Sequence, residues 1–121
     1  MSNQRKEVAT YSAIVGSIIA NYRKSRNLGQ AEISAKLNIS QATWSRIERG
    51  NTAINVSQLS EIAALFGVSP HELLLKADQM ADELKMRGIR VSHYPDSNNE
   101  AMFLLGTAAL IGLAALLFGN E

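Results

Sequence analysis

The feature that most constrains the fold is a pair of short apolar-patterned stretches, QAEISAKL at 30 to 37 and QATWSRIER at 41 to 49, separated only by a few polar residues. Ile33 and Leu37 supply the buried side of the first. The join is LNIS at 37 to 40. Asparagine is, after glycine, the residue that best tolerates a left-handed backbone, and serine is a favoured N-cap. Asn38 and Ser40 therefore predict a tight turn that ends one helix and opens the next, which should stop at Gly50.

The second of these helices has an unusual surface. SQATWSRIERG carries short polar groups, two arginines and the only tryptophan of the chain. Trp44 and Ile47 lie three apart and can face inward, which leaves Gln41, Ala42, Ser45, Arg46 and Arg49 on the opposite stripe. Glutamine can pair bidentately with adenine, arginine with guanine, and a bare alanine can touch a thymine methyl in a major groove. Arg49, at the end of the helix, is better placed for a phosphate. Two short helices joined by a tight turn, the second with such a face, are the ingredients of a helix-turn-helix.

The flanking sequence reads as further helices. Val8, Tyr11, Ile14, Val15, Ile18, Ile19 and Tyr22 recur at three and four, predicting an amphipathic helix from Val8 to Ser25 that NLG at 27 to 29 breaks. NVSQ at 55 to 58 is a capping signal for a fourth helix, expected to bury Val56, Leu59, Ile62, Ala63 and Phe66 before Gly67. SPHE at 69 to 72 places Ser69 as cap, Pro70 at the first helical position and Glu72 to complete a capping box. The fifth helix then puts Leu73, Ala77, Met80, Ala81 and Leu84 on one face and ends near Gly88. Residues 89 to 100 read as a linker with a short extended piece, closing on a further capping box, SNNE at 97 to 100.

Bulk properties narrow the function. A chain of 121 residues is long enough for one small domain and an appendage. It has no cysteine, and its histidines, His71 and His93, are isolated, so neither a disulfide framework nor a zinc site is expected, and a reducing cytosol suits it. MSNQRKEVAT does not read as a signal peptide. Residues 1 to 70 hold eight basic against four acidic residues and the remainder four against seven, a distribution that suits a polyanion partner for the first part. No Ser/His/Asp set and no paired carboxylates recommend themselves, so the chain is not expected to be an enzyme, and no cofactor or metal is implied.

From Tyr22 to Leu74 the sequence resembles the Cro/C1-type (XRE-like) helix-turn-helix family that includes the lambdoid phage repressors. LGQAEIS, SQATWSRIERG and ALFGVSPHELL fall in order and at that family's spacing. The resemblance implies a five-helix domain that binds double-stranded DNA sequence-specifically, usually as a homodimer or higher homo-oligomer. Position by position, it implies base contacts from Gln41, Ala42 and Arg46 with Ser45 close by. It implies backbone contacts from Gln30, Thr43 and the Gly50, Asn51, Thr52 turn, beside the Arg49 already read as a phosphate partner from its place in the helix, and an internal ion pair of Arg23 with Glu48. Asn38 stands where the family's turn has Gly, Ser34 where it has a small Ala, and Trp44 where it has an aliphatic, which leaves that tryptophan half buried on this reading.

The expected architecture is thus all-α: a helix-turn-helix domain over 1 to 88, a linker over 89 to 100, and a hydrophobic helix over 101 to 119. That last segment, AMFLLGTAALIGLAALLFG, carries no charge and admits two readings. A helix of this span approaches the ~30 Å of a bilayer core, and Lys85, Arg87 and Arg90 before it would hold the DNA-binding part on the cytoplasmic face of the inner membrane. Alternatively Ala101, Ala108, Gly112, Ala115 and Gly119 form a small-residue seam for self-association in a soluble oligomer. Three functions follow: a DNA-binding transcriptional repressor, a membrane-tethered module that binds protein partners, or an antitoxin-type autorepressor.

Overall fold

In the computed structural model, which describes residues 6–94 and 102–119, the turn at 37 to 40 closes as the sequence requires. Asn38 takes φ 58°, and the amides of Asn38 and Ile39 donate back to the carbonyls of Ala35 (3.1 Å) and Ser34 (3.0 Å). This double closure satisfies carbonyls that a helix end otherwise leaves open. It joins α2 (Gln30–Lys36) to α3 (Gln41–Arg49). Ser40 caps α3, accepting from the Thr43 amide at 3.0 Å, and Gly50 ends it at φ 73°.

Around this pair stand α1 (Tyr11–Ser25), α4 (Val56–Phe66) and α5 (Pro70–Met86). The reciprocal capping box at Asn55 and Gln58 forms, and Ser69 caps α5 with Pro70 in its first turn. Glu72 does something other than the expected box. Its carboxylate accepts the Tyr22 hydroxyl at 2.5 Å, a bond that ties α5 to α1. The expected inner face of α5, Leu73, Ala77, Met80, Ala81 and Leu84, is buried throughout. On α4 the expectation holds for Ile62, Ala63 and Phe66 but not for Val56, which is 83% exposed because it opens the helix beyond the reach of the core.

The α1 helix departs from a one-sided amphipathic reading. Every residue from Ile14 to Arg23 is buried, since α3, α5 and a last helix, α6 (Thr107–Phe118), surround it. The polar positions are satisfied in place: Ser17 donates to the Ile14 carbonyl at 2.7 Å and Asn21 to the Gly119 carbonyl at 3.3 Å. Side chains also brace its two ends. Tyr11 donates to Asp78 at 2.6 Å, while Arg26 lies 5.0 Å above the Tyr22 ring and 5.4 Å above Phe66.

The helix expected from Val8 starts later, at Tyr11, because the Thr10 hydroxyl accepts from the Ala13 amide at 3.1 Å and caps it there. The residues before it form β1 (Lys6–Thr10), the middle strand of a small parallel sheet with β2 (Arg90–Ser92) and β3 (Met102–Leu104) on its two sides. Val8 is opposite both Arg90 and Leu104 in register. The helical architecture is as expected, with this sheet added to it. β2 is the short extended piece anticipated within 89 to 100, whereas the capping box at 97 to 100 lies outside the described residues.

The hydrophobic C-terminal helix is present but shorter than its apolar stretch. Residues 102 to 104 are used as β3, and Gly106, extended at ψ 156°, starts α6 only at Thr107. At ~1.5 Å per residue the 12 residues of α6 reach ~18 Å, well short of a ~30 Å hydrocarbon core. Among the described residues no helix is long and apolar enough to cross a membrane, which corrects the first of the two readings of 101 to 119, a single helix that spans a bilayer. Leu110 and Ala114 bury α6 against the body, and Lys76, over both the Tyr22 ring (4.7 Å) and the Phe118 ring (5.5 Å), fastens its far end. Ala108, Gly112, Ala115 and Gly119 face outward and are exposed; Ala101 lies outside the described residues.

Candidate nucleic-acid interface

Helix α3 is held by its inner face so that its outer face can be offered rigidly. Trp44, Ile47 and Glu48 are buried, while Gln41, Ala42, Arg46 and Arg49 are exposed and Ser45 is half-buried between them. The division follows the helical period read from the sequence. Trp44 is more deeply placed than expected, with no exposed surface at all. A buried indole needs a partner for its N–H, and Trp44 finds one in the Glu48 carboxylate at 2.6 Å.

That carboxylate is the organising centre of the motif. It receives Arg23 Nε at 2.5 Å and Nη2 at 3.2 Å, Gln30 Nε2 at 2.9 Å, and the Trp44 indole. Arg23 is in turn fixed by donating to the Leu28 carbonyl at 2.7 Å. A bidentate arginine and further donors compensate the desolvation of a charge that is 97% buried in effect, Glu48 being only 3% exposed. The Arg23–Glu48 pair lies where the family resemblance implies one. Gln30 and Trp44, as further partners of Glu48, were not foreseen: Trp44 stands one turn before Glu48 on the same helical face, a spacing that could have signalled the contact, whereas nothing in the sequence links Gln30 on α2 to Glu48 on α3.

Backbone contact between helices sets the second constraint. A side-chain Cβ at Gly16 would sit 2.4 Å from the Ile47 carbonyl and 2.5 Å from that of Glu48, so α1 and the end of α3 touch through main chain. At Gly50 a Cβ would meet the Ala13 backbone at 2.4 Å as well as opposing the positive φ. The only signal of Gly16's role in the sequence is its presence inside an apolar helix, where glycine costs ~0.5–1 kcal/mol against alanine and so calls for a packing reason.

The remaining candidates surround α3. Thr43 is half-buried at its start, its hydroxyl accepting from Ser40 at 2.9 Å. Asn51 is exposed and Thr52 half-buried in the turn that follows, with the Asn51 amide donating to the Arg46 carbonyl at 2.9 Å. Arg49 donates to the Ser45 carbonyl at 3.3 Å, which lays its side chain along the helix. Gln30 stands half-buried at the start of α2. The exposed stripe and these flanking residues are rich in hydrogen-bonding groups, and α3 carries no carboxylate except the buried Glu48.

Residues 19–73 match the family described as helix-turn-helix. The chain is 38% identical over 66 residues to the uncharacterized HTH-type transcriptional regulator y4dJ of Sinorhizobium fredii, an alignment that covers 54% of this chain and 86% of that protein. No solved structure matches the chain.

Proposed function

The chain belongs to the Cro/C1-type helix-turn-helix family, and as such is a DNA-binding transcriptional regulator; from that premise we propose that it is a repressor that reads its operator as a dimer through the outer face of α3. The observation that carries this reading is the exposed stripe Gln41, Ala42, Ser45, Arg46 on a helix whose opposite side is locked by Glu48. Rigid presentation matters because base readout depends on bidentate geometry.

Gln41 and Arg46 read base edges, Ala42 meets a thymine methyl, and Ser45 contributes a hydroxyl beside them. Thr43, Arg49, Asn51 and Thr52 meet phosphates, which fix register without carrying sequence information. Gln30 spends one amide hydrogen on Glu48 at 2.9 Å, and the second hydrogen of that amide serves a phosphate. A dimer places two α3 helices one turn of DNA apart, ~34 Å. The outward small residues of α6, Ala108, Gly112, Ala115 and Gly119, with Leu116 at 80% exposure beside them, are the surface proposed for self-association.

The test is competition binding across operator variants. Arg46→Ala should lose ~1–3 kcal/mol of discrimination at one base position, while Gln30→Ala should weaken all sequences alike. An unchanged ranking of operators by Arg46→Ala would remove Arg46 from the readout.

A further inference from the structure

Because the three strands run parallel, their carboxyl ends meet along a single edge of the sheet. β1 ends at Thr10, β2 runs on into His93 and Tyr94, and β3 into Leu105, Gly106 and Thr107. That edge lies against the turn after α3. Two open cavities of about 200 Å³ each flank Gly50 and Asn51: Arg49 and Thr107 line one, Thr52, His93 and Tyr94 the other, and Thr10 is common to both. The sheet is therefore placed beside the DNA-facing turn and not on the far side of the domain.

The chemistry of the edge suits an anion. Among the described residues no carboxylate lines either cavity, whereas Arg49, Asn51, Thr52, His93, Tyr94 and Thr107 all present groups that can donate hydrogen bonds. His93 is exposed, as is Tyr94 at 80%, and the Ser92 hydroxyl donates to the Tyr94 carbonyl at 2.5 Å and so fixes the bend that brings both beside Thr52. Half to two-thirds of the hydrogen bonds in protein–DNA complexes go to phosphate and sugar. A donor pair continuous with Asn51 and Thr52 would lengthen that contact along the strand.

We propose that the carboxyl edge of the sheet is a second contact with the DNA backbone, in which His93 and Tyr94 donate to phosphates next to those met by Asn51 and Thr52. The proposal rests on the reading of α3 and its turn as the DNA-binding face. It makes the sheet part of the binding surface, and it predicts a contact that carries no sequence preference.

Full-length chains with His93→Lys and His93→Glu test it, with Met86→Lys and Met86→Glu as controls, since Met86 is 82% exposed at the end of α5 and lines neither cavity. Affinity is measured against salt on DNA selected by the wild-type chain and on unrelated DNA. A lysine that meets a phosphate steepens the slope of log K against log salt by about 0.9 and tightens binding up to about tenfold near ~0.1 M salt. His93→Lys is expected to do this on both DNAs, His93→Glu to weaken both several-fold, and the Met86 pair to change neither. Wild-type binding that is specific and sensitive to Arg46→Ala, with His93 variants indistinguishable from it or matched by the Met86 pair, would overturn this inference alone. A wild-type chain that selects no DNA would overturn the parent reading and this one together.

Discussion

Glu48 is the residue on which the most geometry depends, since it gathers Arg23, Gln30 and Trp44 from three helices. Glu48→Ala leaves a buried guanidinium with only the Leu28 carbonyl and an indole N–H with nothing, a loss of ~3–5 kcal/mol by analogy with other broken buried pairs. The thermal midpoint should fall clearly, and DNA binding should fail only as a consequence; an unchanged midpoint with weakened binding would place Glu48 at the DNA. Gly16→Ala should also destabilise, by ~1–3 kcal/mol, because backbone rather than a yielding side chain stands 2.4 Å from the new methyl. A melt of that variant coincident with wild type would show that α1 and α3 can separate freely. The tyrosines give a pH signature. Burial and then the bond to Asp78 raise the Tyr11 hydroxyl well above its ordinary ~10, and burial and then the bond to Glu72 raise Tyr22. For an acid whose folded value is raised, the stability contribution is complete below the unfolded value near ~10 and is lost as pH climbs from there towards the folded value. Tyrosinate absorbance should therefore lag for Tyr11 and Tyr22 in the folded chain and appear with unfolding; ordinary titration of Tyr11 and Tyr22 while the chain stays folded would contradict the two bonds.

At the scale of elements, α2, α3, α4 and α5 were legible because their limits are written in local chemistry: Asn38 and Gly50 with positive φ, Ser40, Asn55 and Ser69 as caps, Pro70 in a first turn. The sheet was not. Val8, Ala9 and Thr10 are all buried, so β1 shows no alternation of apolar and polar residues, and its partners lie more than eighty residues away in the chain. The same blindness made 101 to 119 look like one helix, since an apolar run is compatible with strand and helix alike. In α6 the two faces are now separable by substitution. Ala114 is fully buried, so Ala114→Leu should overpack the seat against α1 and cost ~1–3 kcal/mol in a melt. A Cβ at Gly112 would meet nothing within 4 Å, so Gly112→Leu should leave the fold intact and change the oligomeric state in sedimentation. Sedimentation identical to wild type would remove the outward seam from the account of dimer formation.

Across the whole molecule, elements distant in sequence meet at the turn after α3: Arg49, Gly50, Asn51 and Thr52 share two cavities with the residues where β1, β2 and β3 end. The candidate readers on α3 could be found from helical spacing, because side chains on one stripe of a single helix follow from period alone. The place of His93, Tyr94 and Thr107 beside the turn at 50 to 52 could not, because it depends on strand pairing across most of the chain. On the proposed reading, the outer face of α3 is what distinguishes one DNA sequence from another. Selection from a random double-stranded pool, carried out in parallel with the full wild-type chain and with Arg46→Ala, tests it most directly. The wild-type chain should enrich a pseudo-palindrome with half-sites ~34 Å apart, and Arg46→Ala should relax one base position in each half-site and leave the spacing unchanged. Enrichment of no sequence by the wild-type chain, or of the same sequence with the same strictness by both, would contradict it.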